Sequence, residues 1–156
     1  LDADLIVETA RLRPRWTFVF AGPHRERGAL DRIRAVPNVE LLGMQPHAAL
    51  PALLAQFSVT WIPYRVARFT EFVFPTKMLE YLAAGKPVVS TDLPEVRAFA
   101  PPIRIAATPA ETVAALEAAM GSHDPASARA VAAQYDWTVQ MRAVHGHLDA
   151  ALASRG

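Results

Sequence analysis

The sequence predicts an α/β fold, a parallel sheet covered by helices on both faces. Short apolar runs of strand character alternate with helical patterns along the whole chain, the signature of parallel strands joined by crossover helices. Val88 and Val89, apolar in succession after Pro87, read as a short strand buried on both faces. At 156 residues the chain is long enough for one domain with a real core.

The elements follow in order. Leu5, Ile6, Thr9 and Leu12 recur at helical spacing, so residues 2–12 read as a helix running toward Pro14. Residues 16–21 form an aromatic and β-branched strand closed by Gly22-Pro23. Leu30, Ile33 and Val36 give a short helix ended by Pro37, and residues 39–42 give a second strand ended by Gly43. Residues 47–56 read as a helix because Leu50, Leu53, Leu54 and Phe57 form a stripe. Pro51 is tolerable in its first turn.

A third strand at 58–62 stops at Pro63, and the longer loop 64–74 carries Arg65, Arg68 and Glu71 among aromatic residues. Pro75 suits the first position of the next helix and Gly85 the residue just past its end. Lys86, beside Gly85, reads as a solvated turn residue. After the strand at 87–90, Asp92 is expected to cap a helix through Ala100, with Glu95 at the capping-box position. A last strand spans 103–106. Thr108 to Glu111 is a second capping box opening a helix through Met120, Asp124-Pro125 starts another, and residues 137–153 form the final long one.

Composition narrows the function. A net charge of +1 gives no reason to expect broad nucleic-acid or anionic-membrane binding. Without cysteine there is no disulfide framework, thiolate nucleophile or cysteine metal site, which fits a reducing compartment. No stretch approaches the ~20 apolar residues that span a bilayer. The chain opens in a helical pattern without methionine and reads as a fragment whose preceding strand lies outside it.

In parallel sheets, ligands sit beyond the carboxyl ends of the strands. The segments there are Gly22-Pro23-His24, Gly43-Met44-Gln45, the loop 63–74, residues 90–92 and Ala107-Thr108. Asp92, Thr108 and Asp124 offer side-chain oxygens to helix starts, whereas Phe74 precedes the helix at Pro75. The amides of Thr76 and Lys77 are therefore left for water or an anion, with Lys77 adding positive charge. Glu80 has two readings: an ion pair with Lys77 along the helix surface, or a carboxylate turned to a cleft where it accepts hydrogen bonds from a sugar diol.

No catalytic constellation is visible: no glycine-rich dinucleotide turn, phosphate loop or nucleophile elbow. His145 and His147 point to different faces of one helix and read as surface residues. Trp16, Trp61 and Trp137 read as core or edge packing, and Arg11, Arg13 and Arg15 as a solvated turn.

The run from Pro75 to Val89, with Lys77, Glu80, Tyr81, Gly85, Lys86 and Pro87 in place, resembles the nucleotide-sugar signature of bacterial glycosyltransferases of the two-domain GT-B fold. The likeness is to the retaining, family-four-like group. It extends to residues 16–23, 39–43, 47–55 and 63–65, and so covers nearly the whole chain. The resemblance implies a Rossmann-like three-layer sandwich, the C-terminal, donor-binding half of a GT-B enzyme. The first strand of this half and the N-terminal acceptor domain would then lie outside the chain.

By that resemblance, Glu80 holds the donor ribose and the helix start at Phe74, Pro75, Thr76 and Lys77 holds the diphosphate. Gly43, Met44 and Gln45 meet the base. The implied partner is a nucleotide-sugar, a UDP-sugar first and a GDP-sugar second, with no metal, cofactor or nucleic acid. The implied acceptor is a polysaccharide or glycolipid. The place is the cytoplasm, with the inner face of the membrane reached through the missing domain. Many members carry a second glutamate eight residues before the first; here that position is Phe72, with Glu71 adjacent. The isolated domain is expected to be inactive. The alternative is a Rossmann-like protein-association module without a nucleotide site, using Phe69, Phe72, Val73 and Phe74.

Overall fold

The computed structural model describes residues 1–23 and 27–153. In order they form α1 (Ala3–Leu12), β1 (Phe18–Ala21), α2 (Arg27–Arg34), β2 (Val39–Gly43), α3 (Leu50–Gln56), β3 (Thr60–Ile62) and α4 (Lys77–Ala83). There follow β4 (Val88–Ser90), α5 (Pro94–Arg97), β5 (Ile103–Ile105), α6 (Pro109–Gly121), α7 (Pro125–Ala133) and α8 (Trp137–Ala153). Short 3₁₀ turns at His47–Ala49 and Thr70–Phe72 precede α3 and α4.

Every strand pairing is parallel, as the alternating pattern requires. The strands nevertheless fall into two groups, β2-β1 and β3-β4-β5, rather than one sheet. Phe18 lies opposite Val39, Thr60 opposite Val88, and Val88 opposite Ile103.

β4 is the centre of its group. Val88 and Val89 are both fully buried and face opposite ways. Val89 joins a core with Ile6 and Ala10 of α1, Phe18, Ile33, Val39 and Leu116 of α6. Val88 joins a second core with Ile62, Met78 and Leu82 of α4, Val96, Phe99 and Ala128 of α7. Helices therefore cover both faces, a three-layer sandwich in which each buried Val or Leu contributes about 1.5–3 kcal/mol.

The caps follow local chemistry where they are local. The Asp2 carboxylate accepts from Leu5 N–H, Thr108 and Glu111 complete a capping box, and Asp124 accepts from Ala126 N–H. Asp92 does not cap. The N-cap of α5 is Leu93, and Asp92 instead takes two hydrogen bonds of 2.7 Å from the Arg97 guanidinium. α5 is accordingly a single turn that ends at Arg97, short of Ala100.

Other expectations change with tertiary contact. Lys86 is not a solvated turn residue: its Nζ donates to Ala55 O at 2.9 Å and Phe57 O at 2.8 Å, the carbonyls at the end of α3. A cation there satisfies orphan carbonyls and complements the helix dipole. Arg13 reaches Glu117 of α6 at 2.8 Å and lies over the Trp16 ring, so it also leaves the solvated group. Trp16 and Trp61 are half-buried, but Trp137 is 80% exposed at the start of α8. His145 and His147 are exposed, as expected.

Gly85 ends α4 in a Schellman arrangement. Its N–H donates to Leu82 O and Lys86 N–H donates to Tyr81 O, with Gly85 at φ +68°. A Cβ there would meet the Arg129 guanidinium at 2.6 Å, a flexible group that can move, so the backbone conformation sets the cost. Gly85→Ala is expected to lower unfolding stability by about 1–2 kcal/mol, and Gly85→Asn by less, measured as the shift in urea midpoint. Equal stability of Gly85→Ala and the parent would refute the left-handed cap.

Hydrogen bonds from Arg97 hold the Asp92 carboxyl below its usual range, against a weaker opposing effect of burial. A depressed folded-state pKa adds stability above the unfolded value, and that stability is lost as pH falls through the folded value. Stability should therefore fall more steeply below about pH 4 in the parent chain than in Arg97→Gln, with a small amplitude because the pair is exposed. Parallel acid-unfolding curves for the two proteins would sink this assignment.

Candidate functional site

The carboxyl ends of the strands gather the end of β2, the loop after β3 with the start of α4, and residues Thr91 and Asp92 after β4. The end of β5 is closed on itself, because the Glu111 carboxylate accepts from both Ala107 N–H and Thr108 N–H. Those amides hold Glu111 below its usual pKa and are themselves satisfied by it.

The start of α4 is different. Met78 N–H donates to Pro75 O at 2.8 Å and Leu79 N–H to Thr76 O at 3.0 Å, so the chain enters the helix through a tight turn. Thr76 makes no side-chain cap. Among the described residues, neither Thr76 N–H nor Lys77 N–H has an acceptor. Packing fixes this geometry from below. Pro75 is buried, and the Phe74 ring meets Phe99 edge-on at 5.9 Å.

Met78 and Leu82, four residues apart, are fully buried on the core face of α4. That orientation turns Lys77 and Glu80 outward. Lys77 Nζ lies 2.8 Å from Glu80 Oε2, with the two side chains 47% and 43% exposed. The surface ion pair, one of the two readings of Glu80, is thus what the chain forms by itself, worth a few tenths of a kcal/mol. Glu80 Oε1 has no hydrogen-bond partner among the described residues. Beside it, burial pushes the Tyr81 phenol up to about 12, with Tyr64 and Glu80 adding to the shift, so Tyr81 remains a neutral donor at ordinary pH.

At the β2 end, Gly43 adopts φ +68° and turns the chain outward. Met44 is 71% exposed and presented to solvent. Gln45 is tied back instead, its Nε2 donating to Leu42 O at 2.8 Å. No hydrogen bond joins this group to Glu80 or Lys77 among the described residues. β1 and the break in the sheet stand between the two. The expected set is thus delivered to one edge of the sheet as two separate clusters.

Glu71 and Phe72 sit on the exposed turn before α4, with Phe72 83% exposed. His24 lies outside the described residues. Thr91 lies in the expected segment 90–92, and its hydroxyl donates to Tyr64 O at 2.8 Å, pinning the β3 loop to the end of β4. A cleft of about 350 Å³ lies elsewhere, at the amino ends of β4 and β5, between Pro87, Ile103, Arg104, His123 and Asp124. It contains none of the expected ligand groups.

Comparison with known proteins bears on the fold and the family. TuaH of Bacillus subtilis (strain 168), named as a teichuronic acid biosynthesis glycosyltransferase, is 30% identical over 154 residues, covering 92% of this chain and 39% of TuaH. The crystal structure of AviGT4, a glycosyltransferase involved in avilamycin A biosynthesis, superposes with a TM-score of 0.66 at 22% identity, covering 90% of this chain and 45% of AviGT4. The chain thus spans less than half the length of either protein. The sandwich is that of one half of a GT-B fold. The family described as glycosyl transferases group 1 matches residues 3–122, which takes in both clusters, and the chain belongs to that family.

Proposed function

We propose that this chain is the nucleotide-sugar donor-binding domain of a longer glycosyltransferase. In this reading the enzyme transfers a sugar from a nucleoside diphosphate to a polysaccharide or glycolipid acceptor. The observation that carries it is the outward face of α4: unpaired amides at Thr76 and Lys77, and a carboxylate with one free oxygen at Glu80, at the carboxyl edge of a parallel sheet. Glu80 accepts from the ribose hydroxyls. Thr76, Lys77 and the backbone from Phe74 to Pro75 face the diphosphate, while Met44, with Gly43 and Gln45, borders the base. Pro75 has no N–H, so the phosphate donors are the two following amides.

A UDP-sugar is the first expected donor and a GDP-sugar the second. Catalysis is electrostatic: fixed amides and the Lys77 ammonium stabilise the charge that grows on the departing diphosphate. The acceptor lies on a second, N-terminal domain, so the isolated chain binds donor but turns over little. The exposed apolar stripe of α8, Trp137, Met141, Val144, Leu148 and Leu152, supports that reading as a surface prepared for another body. No helix among the described residues is long and apolar enough to cross a membrane. We place the parent enzyme in the cytoplasm, reaching the inner face of the membrane through its other domain.

One observation favours a second reading. Phe69 and Phe72 are 80% and 83% exposed on the loop before α4, as in a module that uses this edge for protein association. Titration calorimetry with UDP, GDP and their sugars separates the two. Donor binding is expected in the parent chain, with Kd raised at least about tenfold in Glu80→Ala, since hydrogen bonds to a charged group contribute about 1.5–3 kcal/mol. Heats that are absent for every nucleotide would leave the association reading standing. Binding unchanged by Glu80→Ala would remove Glu80 from the site.

A further inference from the structure

We propose that the cleft at the amino ends of β4 and β5 binds a small organic phosphate, a phosphoryl group carried on an apolar body. The cleft lies at the edge of the sheet opposite the start of α4, and the inference does not depend on the donor reading.

Size and lining both suit a small molecule. The volume of about 350 Å³ falls within the range of ~300–1,000 Å³ in which such ligands are held. Pro87, Pro101 and Pro102 give the cleft an apolar wall that carries no backbone N–H. Their rings have almost no side-chain freedom to lose when a ligand packs on them. The rest of the lining is polar: Arg104 of β5, Ser122 and His123 in the turn between α6 and α7, and Asp124 and Ser127 at the start of α7.

The charges in this lining are unbalanced. Arg104 donates one N–H to Ser122 Oγ at 3.0 Å, and no carboxylate pairs with its guanidinium among the described residues. Asp124 is already engaged. Its Oδ1 accepts from Ala126 N–H at 2.9 Å, where the dipole of α7 offsets the negative charge.

A second cation stands close by. The His123 ring donates from Nε2 to Gly85 O at 2.7 Å, which fixes that wall of the cleft. The Arg129 guanidinium of α7 rests against the same glycine, 2.6 Å from where a Cβ would stand. Arg129 is exposed and also has no carboxylate partner among the described residues. Two arginines are thus gathered around one engaged carboxylate, and the cleft favours an anion. Arg104, Ser127 and Arg129 bring their donors from two separate elements, β5 and α7. Donors of that kind match the three oxygens of a tetrahedral phosphate better than the two of a planar carboxylate.

The test is an NMR titration of the chain with phenyl phosphate, read at the backbone amides. Those of Arg104, Ser122, His123 and Ser127 should shift saturably, with Gly85 and Lys86 following through the His123 contact. Kd should rise at least about tenfold in Arg104→Met, the loss expected of a charge-assisted pair, and by less in Arg129→Met. Phenol should leave these amides in place, and benzoate should bind more weakly than phenyl phosphate. The parent titration needs no variant, so it stands even if Arg104→Met folds poorly. No saturable shift at the cleft amides, equal shifts with phenol, benzoate binding as tightly, or an unchanged Kd in both variants would each overturn the proposal. Shifts confined to Thr76 and Lys77 would overturn it as well, because they report phosphate at the start of α4. This result and the donor reading therefore stand or fall separately.

Discussion

Three successive residues, Gly85, Lys86 and Pro87, form the junction on which the described structure depends. Gly85 closes α4 in a left-handed cap, and its carbonyl meets the His123 ring at 2.7 Å. Lys86 reaches back to the end of α3. The Pro87 carbonyl accepts from both Thr60 N–H and Thr60 Oγ1, which locks β3 in register with β4. From that junction the chain enters β4, whose two valines each lie in a different core. The turn therefore sets the relative positions of α3, β3, α4 and β4 at once. The outward face of α4, with Lys77 and Glu80, inherits its orientation from this arrangement.

In the proposed reading, the outward face of α4 is half of a donor site. Its charged groups are close to half exposed, where water screens them and an ion pair has little consequence for stability. Such groups become effective when a second surface excludes water and lowers the local dielectric, as closure between two domains does.

Much of the fold was legible because its signals are local. The capping box at Thr108, the Asp124 cap, the glycine stop at Gly85 and the paired valines of β4 each depend on residues within a few positions. The misreadings have other causes. Asp92 had the right type and place for a cap, but the Arg97 guanidinium competed for it and formed two bonds. Lys86 looked solvated because its partners, Ala55 and Phe57, are about thirty positions away in sequence. Trp137 looked like packing because a tryptophan on an apolar helix stripe ordinarily has a partner, and the described chain supplies none.

The sequence by itself determined the alternation of strands and helices, the direction of the sheet and the face of α4 that turns outward. These follow from residue periodicity and backbone chemistry, which act over one or two turns. The motif from Pro75 to Val89 also pointed to the family. Tertiary structure alone decided that Lys86 reaches the carbonyls of Ala55 and Phe57, that Arg13 pairs with Glu117 of α6, and that the strands divide into two groups. Those outcomes depend on which groups distant in sequence arrive at the same place, and a linear pattern carries no record of that.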